Sequence, residues 1–253
     1  MRGGAVLGAL LLCAAAVRAQ AGSSFDPTGA WLSRDGRSEA TLLTGDFHPT
    51  ARFGINGTAG DKGERFGRDG YYFGVDYFHR LAPLTYSDRG FDRTLAVLDA
   101  GVEADYVSRS AYALKGLAAY PGASARVRGD SQVVLALLRV SGPWKGVRPY
   151  LIVGVGAHRT RMDAYLQASS GYSWAGSELP LVRAEATGLA MAGRCGVEKV
   201  FADGGVLGLE FGYLTMASRT YPATSSLGAP DVVSRGDGYT LAAKFGVRFG
   251  GGS

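Results

Sequence analysis

The sequence predicts an all-β chain: an antiparallel, up-and-down transmembrane β-barrel of eight strands, with ten as the alternative count. Three observations carry this. From Gly70 onward, apolar residues alternate with small or charged ones in segments of about nine to fourteen residues, the length of a strand that crosses a bilayer. Short turns and longer loops alternate between those segments, which is the habit of outer-membrane barrels. The chain also opens on an apolar segment of secretory type, and no other run reaches eighteen apolar residues, so the closed barrel is the remaining way to span a membrane.

The bulk composition agrees. Among 253 residues, 46% are hydrophobic and only 19% charged, below the roughly 25% of soluble domains. Glycine, at 39 residues, is about twice as common as usual and has no collagen period. The net charge of +5 falls to about +3 without Arg2 and Arg18. It is too mild and too scattered for a nucleic-acid partner.

Residues 1–21 read as a signal peptide. Arg2 is its positive start, Ala5 to Val17 its apolar run, and Ala19-Gln20-Ala21 its cleavage site. Thirteen apolar residues fall short of the ~20 of a membrane-spanning helix. Cys13 would suit a lipoprotein signal, but Leu12 stands where such signals need a small residue. Cys195 is then the only cysteine of the mature chain, so no disulfide or thiolate metal site forms within it.

Residues 22–69 are an N-terminal extension or an extra β-hairpin, with strand candidates at Arg37–Leu43 and Ala51–Thr58. The charged, Gly-rich run Gly60–Gly70 is a loop. The barrel itself is placed at 70–249 and a tail at 250–253. Its strands are Tyr71–Leu81, Thr94–Val107, Ala111–Tyr120, Gln132–Val140, Arg148–Arg161, Thr187–Val200, Val206–Ala217 and Tyr239–Phe249. Ser108–Ser110, Ser141–Val147 and Phe201–Gly205 are the short turns, which puts both ends of the unit in the periplasm. The loops around Tyr86, Gly122, Trp174 and Leu227 then lie outside the cell.

The last segment separates most cleanly. Tyr239, Leu241, Ala243, Phe245, Val247 and Phe249 form one face, and Thr240, Ala242, Lys244, Gly246 and Arg248 the other. The same division elsewhere collects Asp76, Asp99, Glu103, Asp105, Glu198 and Glu210 on the inner face, against Arg80, Lys115, Arg139, Arg148, Arg194, Lys244 and Arg248. Near balance favours a buried ion-pair network, since lone buried charges are costly. Arg80, Arg148 and Arg248 have the alternative of facing water at strand ends. Eight strands leave an interior just wide enough for side chains, so the barrel is expected to be plugged. Inner glycines make room for the large charged neighbours. Tyr71, Tyr77, Tyr106, Tyr112, Tyr120, Tyr150, Tyr213, Tyr239, Phe249 and Trp144 fall near strand ends, where interfacial aromatics belong.

Chemistry is thin. His48, His79 and His158 have no metal-ligand spacing, and there is no nucleophile elbow. The best catalytic candidate is His158-Arg159-Thr160. Lipid A deacylases resemble it in placing a His and a Ser two residues apart on a strand, but here the second position is Thr160, and no supporting acid is identifiable. No catalytic residue, metal or cofactor is assigned.

The signal, the eight alternating segments and the terminal Lys244-Phe245-Gly246-Val247-Arg248-Phe249 together resemble the small outer-membrane β-barrel superfamily, the OmpA-like barrels. Gly250 to Ser253 follow the final aromatic, which departs from the usual ending. The resemblance implies a bacterial outer-membrane location, lipid as the surrounding partner, and loops free to meet an extracellular ligand or surface partner. The expected function is non-enzymatic. The alternatives are a small-solute conduit, a barrel enzyme acting on lipid A, and a soluble lipocalin-like binder suggested by Gly29-Ala30-Trp31.

Overall fold

A computed structural model of the chain describes residues 37–50, 52–55, 64–65, 70–88, 91–115, 123–142, 147–167, 170–171, 173, 176–222, 232–234 and 236–249. The signal peptide with Cys13, the tail 250–253, Tyr120, Trp144, Trp174 and Leu227 lie outside them.

Eight strands close into an antiparallel barrel: β1 (Ser38–Pro49), β4 (Gly70–Asp88), β5 (Phe91–Lys115), β6 (Ser124–Ser141), β7 (Arg148–Gln167), β8 (Glu178–Val200), β9 (Gly205–Met216) and β12 (Gly238–Phe249). Four short strands, β2 (Arg52–Ile55), β3 (Glu64–Arg65), β10 (Arg219–Tyr221) and β11 (Val232–Ser234), form a separate small sheet in the order β10-β11-β2-β3. It is built from the two segments that follow β1 and β9.

The eight-strand count holds, with different members from those expected. The barrel begins at Ser38, so Ser38–Pro49 belongs to its wall and the boundary at residue 70 is wrong. The closing partner of β12 is β1; their register runs from Ser38 opposite Phe249 to Pro49 opposite Gly238. The expected strands Thr94–Val107 and Ala111–Tyr120 are joined in β5, which continues without a turn through Ser108–Ser110. Ser-Arg-Ser has none of the Gly, Asn or Asp that a tight hairpin needs. Val107, Ser108 and Arg109 instead pair with Ser131, Asp130 and Gly129. The merger reverses one loop: the β4–β5 hairpin, which contains Tyr86, lies at the barrel end that holds Ser38 and Phe249. The β8–β9 turn at the same end is made tight by Gly204 in the left-handed region, φ 84°.

The outward face is apolar. Leu151, Val153 and Leu209 are 64, 62 and 61% exposed. No water-facing sheet gains from that, whereas lipid accepts it. The band covers residues 149–157 of β7 and 189–197 of β8 and is bounded by outward Arg159 and Glu185 on one side and Lys199 on the other. Aromatic pairs mark its two edges: Tyr213 against Tyr239 at 5.0 Å, and Tyr77 against Phe249 at 6.3 Å between ring centroids. A soluble lipocalin-like binder would show Lys and Glu there. Beyond the band, β5 to β8 continue as a taller wall, with Ser124 of β6 still paired to Gln167 of β7. Ala125, Val127, Met162, Ala164, Leu166 and Val182 are buried on that wall's inner side.

Candidate functional site

The lumen holds two joined ion clusters. Alternation along each strand points one residue in two inward, and the closed ring aims eight such rows at one axis. In the first cluster, Glu39 receives Arg139 at 2.5 Å, Arg148, Lys244 at 3.5 Å and Arg248 at 3.4 Å. Arg139 also donates to Asp99 at 2.9 Å, and Glu198 meets Arg148 and Lys244. Lys244 Nζ lies 3.6 Å from Asp76, which in turn accepts a hydrogen bond from Thr41. In the second cluster, Arg194 donates to Glu103, to Asp105 at 3.1 Å and to Glu210 at 3.4 Å. Tyr72 donates to Glu103 at 2.8 Å and to Asp105 at 3.0 Å, and Tyr150 donates to Glu210 at 3.0 Å.

The two clusters are held together by rings as well as by charge. The Arg139 guanidinium lies 4.0 Å over Phe78, and Lys244 Nζ lies 4.8 Å from the Tyr150 ring. Two inner glycines allow this crowding. A Cβ at Gly74 would come within 2.3 Å of Asp105 Oδ1, and one at Gly212 within 2.6 Å of Arg194 Cγ. Toward the taller end the filling becomes apolar, with Phe47, Val107, Val133, Leu214 and Met216 buried.

Of the inner charges read from the sequence, Asp76, Asp99, Glu103, Asp105, Arg139, Arg194, Glu198, Glu210 and Lys244 meet in this network. Lys115 ends β5, and its side chain lies outside the described residues. Arg148 and Arg248 are buried and do not face water, while Arg80 is half-buried. The alternation missed Glu39, the acid with the most cationic partners, because the same inner row carries Leu43 and Phe47. Tyr150, expected at an interface, is buried and hydrogen-bonded in the lumen.

A third polar group sits beyond the membrane band, on the inner side of the taller wall. Thr160 Oγ1 lies 2.8 Å from Ser131 Oγ and 3.0 Å from His158 Nδ1. All three residues are buried. Above them β10 docks on β8, with Arg219 Nε donating to the Thr187 carbonyl at 2.7 Å and Tyr221 buried. Burial, with the Arg109 and Arg219 guanidiniums beside it, pushes the His158 imidazole below its ordinary value. No carboxylate hydrogen-bonds to this imidazole among the described residues. A general base needs a partner that stabilises its cation, and two arginines do the reverse. His158 and Thr160 also point inward, away from the lipid face. Among the described residues, no group of three or more His, Cys, Asp or Glu is placed to hold a metal ion.

Neither a protein-family model nor a curated protein matches the chain. Solved structures similar to it include the outer membrane protein OprG from Pseudomonas aeruginosa, at 14% identity over 85% of this chain and 98% of that one, TM-score 0.46. Neisserial surface protein A is similar at 14% identity over 84% and 96%, TM-score 0.36. The outer membrane enzyme PagL is similar at 12% identity over 81% and 97%, TM-score 0.35. The closed topology and the apolar belt make this chain an eight-stranded transmembrane β-barrel of the outer-membrane type.

Proposed function

We propose that the chain is a non-enzymatic outer-membrane barrel, closed along its lumen, whose extracellular end is an interaction surface. The observation that carries this is the filled interior: two ion clusters, then packed apolar side chains beneath the docked β10 strand. Buried charges with several partners each are rigid and leave little room for a hydrated ion. The conformational freedom that a transporter needs is missing from such a layer.

The chain's remaining resources lie at the end of the longer loops. That end carries the tall β5–β8 wall, the small sheet and the connections 116–123 and 168–177. This reading places it outside the cell, with the termini and the short turns in the periplasm. The outer row of the tall wall carries Arg128, Arg159, Arg161 and Arg183 interleaved with Asp163 and Glu185. A folded partner of mixed charge suits it better than a strongly anionic polymer.

Planar-bilayer recording tests the closed lumen. Purified barrel is expected to give no unitary current in wild type, and a steady conductance would overturn the reading in favour of a solute conduit. Lipid A from cells carrying His158→Ala is expected to keep its acylation pattern; a change would assign the barrel an enzyme's role.

A further inference from the structure

Beyond the lumenal clusters, one buried ring nitrogen has no protein partner. His158 is buried, and its Nε2 makes no hydrogen bond among the described residues. The other nitrogen, Nδ1, meets Thr160 Oγ1 at 3.0 Å, and Thr160 meets Ser131 at 2.8 Å. The Ala217 carbonyl lies beside the imidazole without completing a hydrogen bond. A lone pair on Nε2 would be repelled by that oxygen. The hydrogen therefore sits on Nε2, and Nδ1 accepts from the Thr160 hydroxyl. A buried donor without a protein acceptor calls for an acceptor from outside the chain.

We propose that a chloride-sized anion is that acceptor, bridging His158 on the barrel wall to Arg219 on β10. Two donors converge on one spot. The point where a Gly188 Cβ would stand lies 2.6 Å from His158 Nε2 and 3.0 Å from Arg219 Nη2. Glycine at 188 keeps a side chain out from between them. Arg219 gives its Nε to the Thr187 carbonyl at 2.7 Å and its Nη1 to the Ser218 carbonyl at 3.4 Å. Those two bonds fix the guanidinium and leave Nη2 for the anion. The surrounding charge favours an anion over water. Arg109 of β5 and Arg219 both stand close enough to act on His158. Two carboxylates act on Arg109, Asp130 and Asp237, but they accept from Ser108 and Thr215, each at 2.7 Å, and neither bonds to His158 or Arg219. Water could accept from both donors, yet it would leave the Arg219 charge uncompensated, whereas an anion does both. Arg219 is exposed, so the anion arrives from solvent without crossing the lumen. Accepting from one residue of each, it ties the small sheet to the barrel.

The test uses purified barrel carrying isotope-labelled histidine in zwitterionic micelles. Sodium chloride is titrated against sodium gluconate at constant ionic strength. The His158 Nε2 resonance, assigned by its loss in His158→Gln, is expected to shift saturably with chloride and not with gluconate. Arg219→Gln is expected to weaken chloride about tenfold, the loss of one charge-assisted hydrogen bond. Arg183→Gln, which removes an exposed arginine of β8, is the control and should bind as wild type does. Heat-dependent gel mobility confirms that each variant is folded. Hydrogen exchange at the Tyr221 amide is expected to slow as chloride saturates, because the anion holds β10 down. Absence of any chloride-dependent shift would overturn the proposal and leave water as the acceptor. Equal affinity in Arg219→Gln and wild type would overturn it too, by showing an adventitious ion only.

Discussion

Glu39 and Arg139 lie 100 residues apart in sequence and 2.5 Å apart in the lumen. One stands on the first strand and the other on β6, so their contact spans the barrel rather than following its wall. Glu39 also accepts from Arg148.

Removing that acid leaves buried cations without compensation. Glu39→Ala is expected to cost about 3–5 kcal/mol, because the loss of one partner leaves the other charges desolvated. Urea unfolding of the barrel in detergent micelles measures it, and a cost below that of an ordinary surface substitution would refute the central place given to Glu39.

Burial decides how much an arginine matters here. Arg194→Met leaves Glu103, Asp105 and Glu210 facing one another and is expected to cost more than about 3 kcal/mol. Arg159→Met breaks only an exposed pair with Glu185 and is expected to cost below about 1 kcal/mol. The same unfolding measurement, run side by side, ranks them.

The lipid face has its own signature. Leu209→Arg places a charge in the apolar belt and is expected to cost about 2–4 kcal/mol in bilayers. The same change at Thr215, near the outer edge of the belt, should cost much less. Equal costs at the two positions would mean that the belt lies elsewhere.

The docking of β10 should respond to acid. The His158 imidazole is held below its ordinary value of about 6.5, chiefly by burial and then by Arg109 and Arg219. It is therefore neutral when folded. The stability that depends on neutral His158 is complete above about pH 6.5 and is lost as pH falls through the lowered folded value. Hydrogen exchange at the Tyr221 amide should accelerate over that interval in wild type and not in His158→Gln. An identical pH response in both would show that another group sets it.

Side-chain alternation made most of the barrel legible. The lumenal charges from β4 to β12 were readable because lipid outside enforces apolar residues at every second position. The rule weakens where the inner row itself turns apolar. β1 alternates poorly because its inner row passes from Glu39 and Thr41 to Leu43 and Phe47, so the segment 22–69 reads as an extension or an extra hairpin, with Arg37–Leu43 only a strand candidate. The false turn at Ser108–Ser110 arose where β5 leaves the membrane and its outer face loses the lipid constraint. Arg109 is buried there, although its neighbours read as polar. The small sheet and the Ser131–Thr160 contact join distant segments, and no local period records that.

The seam between β1 and β12 has a consequence for assembly. The two chain segments that close the ring are the most distant in sequence, and Glu39, Lys244 and Arg248 meet only across it. A partly assembled wall therefore presents Glu39, with only Arg139 and Arg148 to meet it, at one free edge and two cations at the other. Those opposed charges act as a built-in check on completion. Premature rings that omit β12 leave Glu39 without two of its cations, so closure is favoured only once the final strand arrives, and the slowest contact to form completes the one that holds the lumen together.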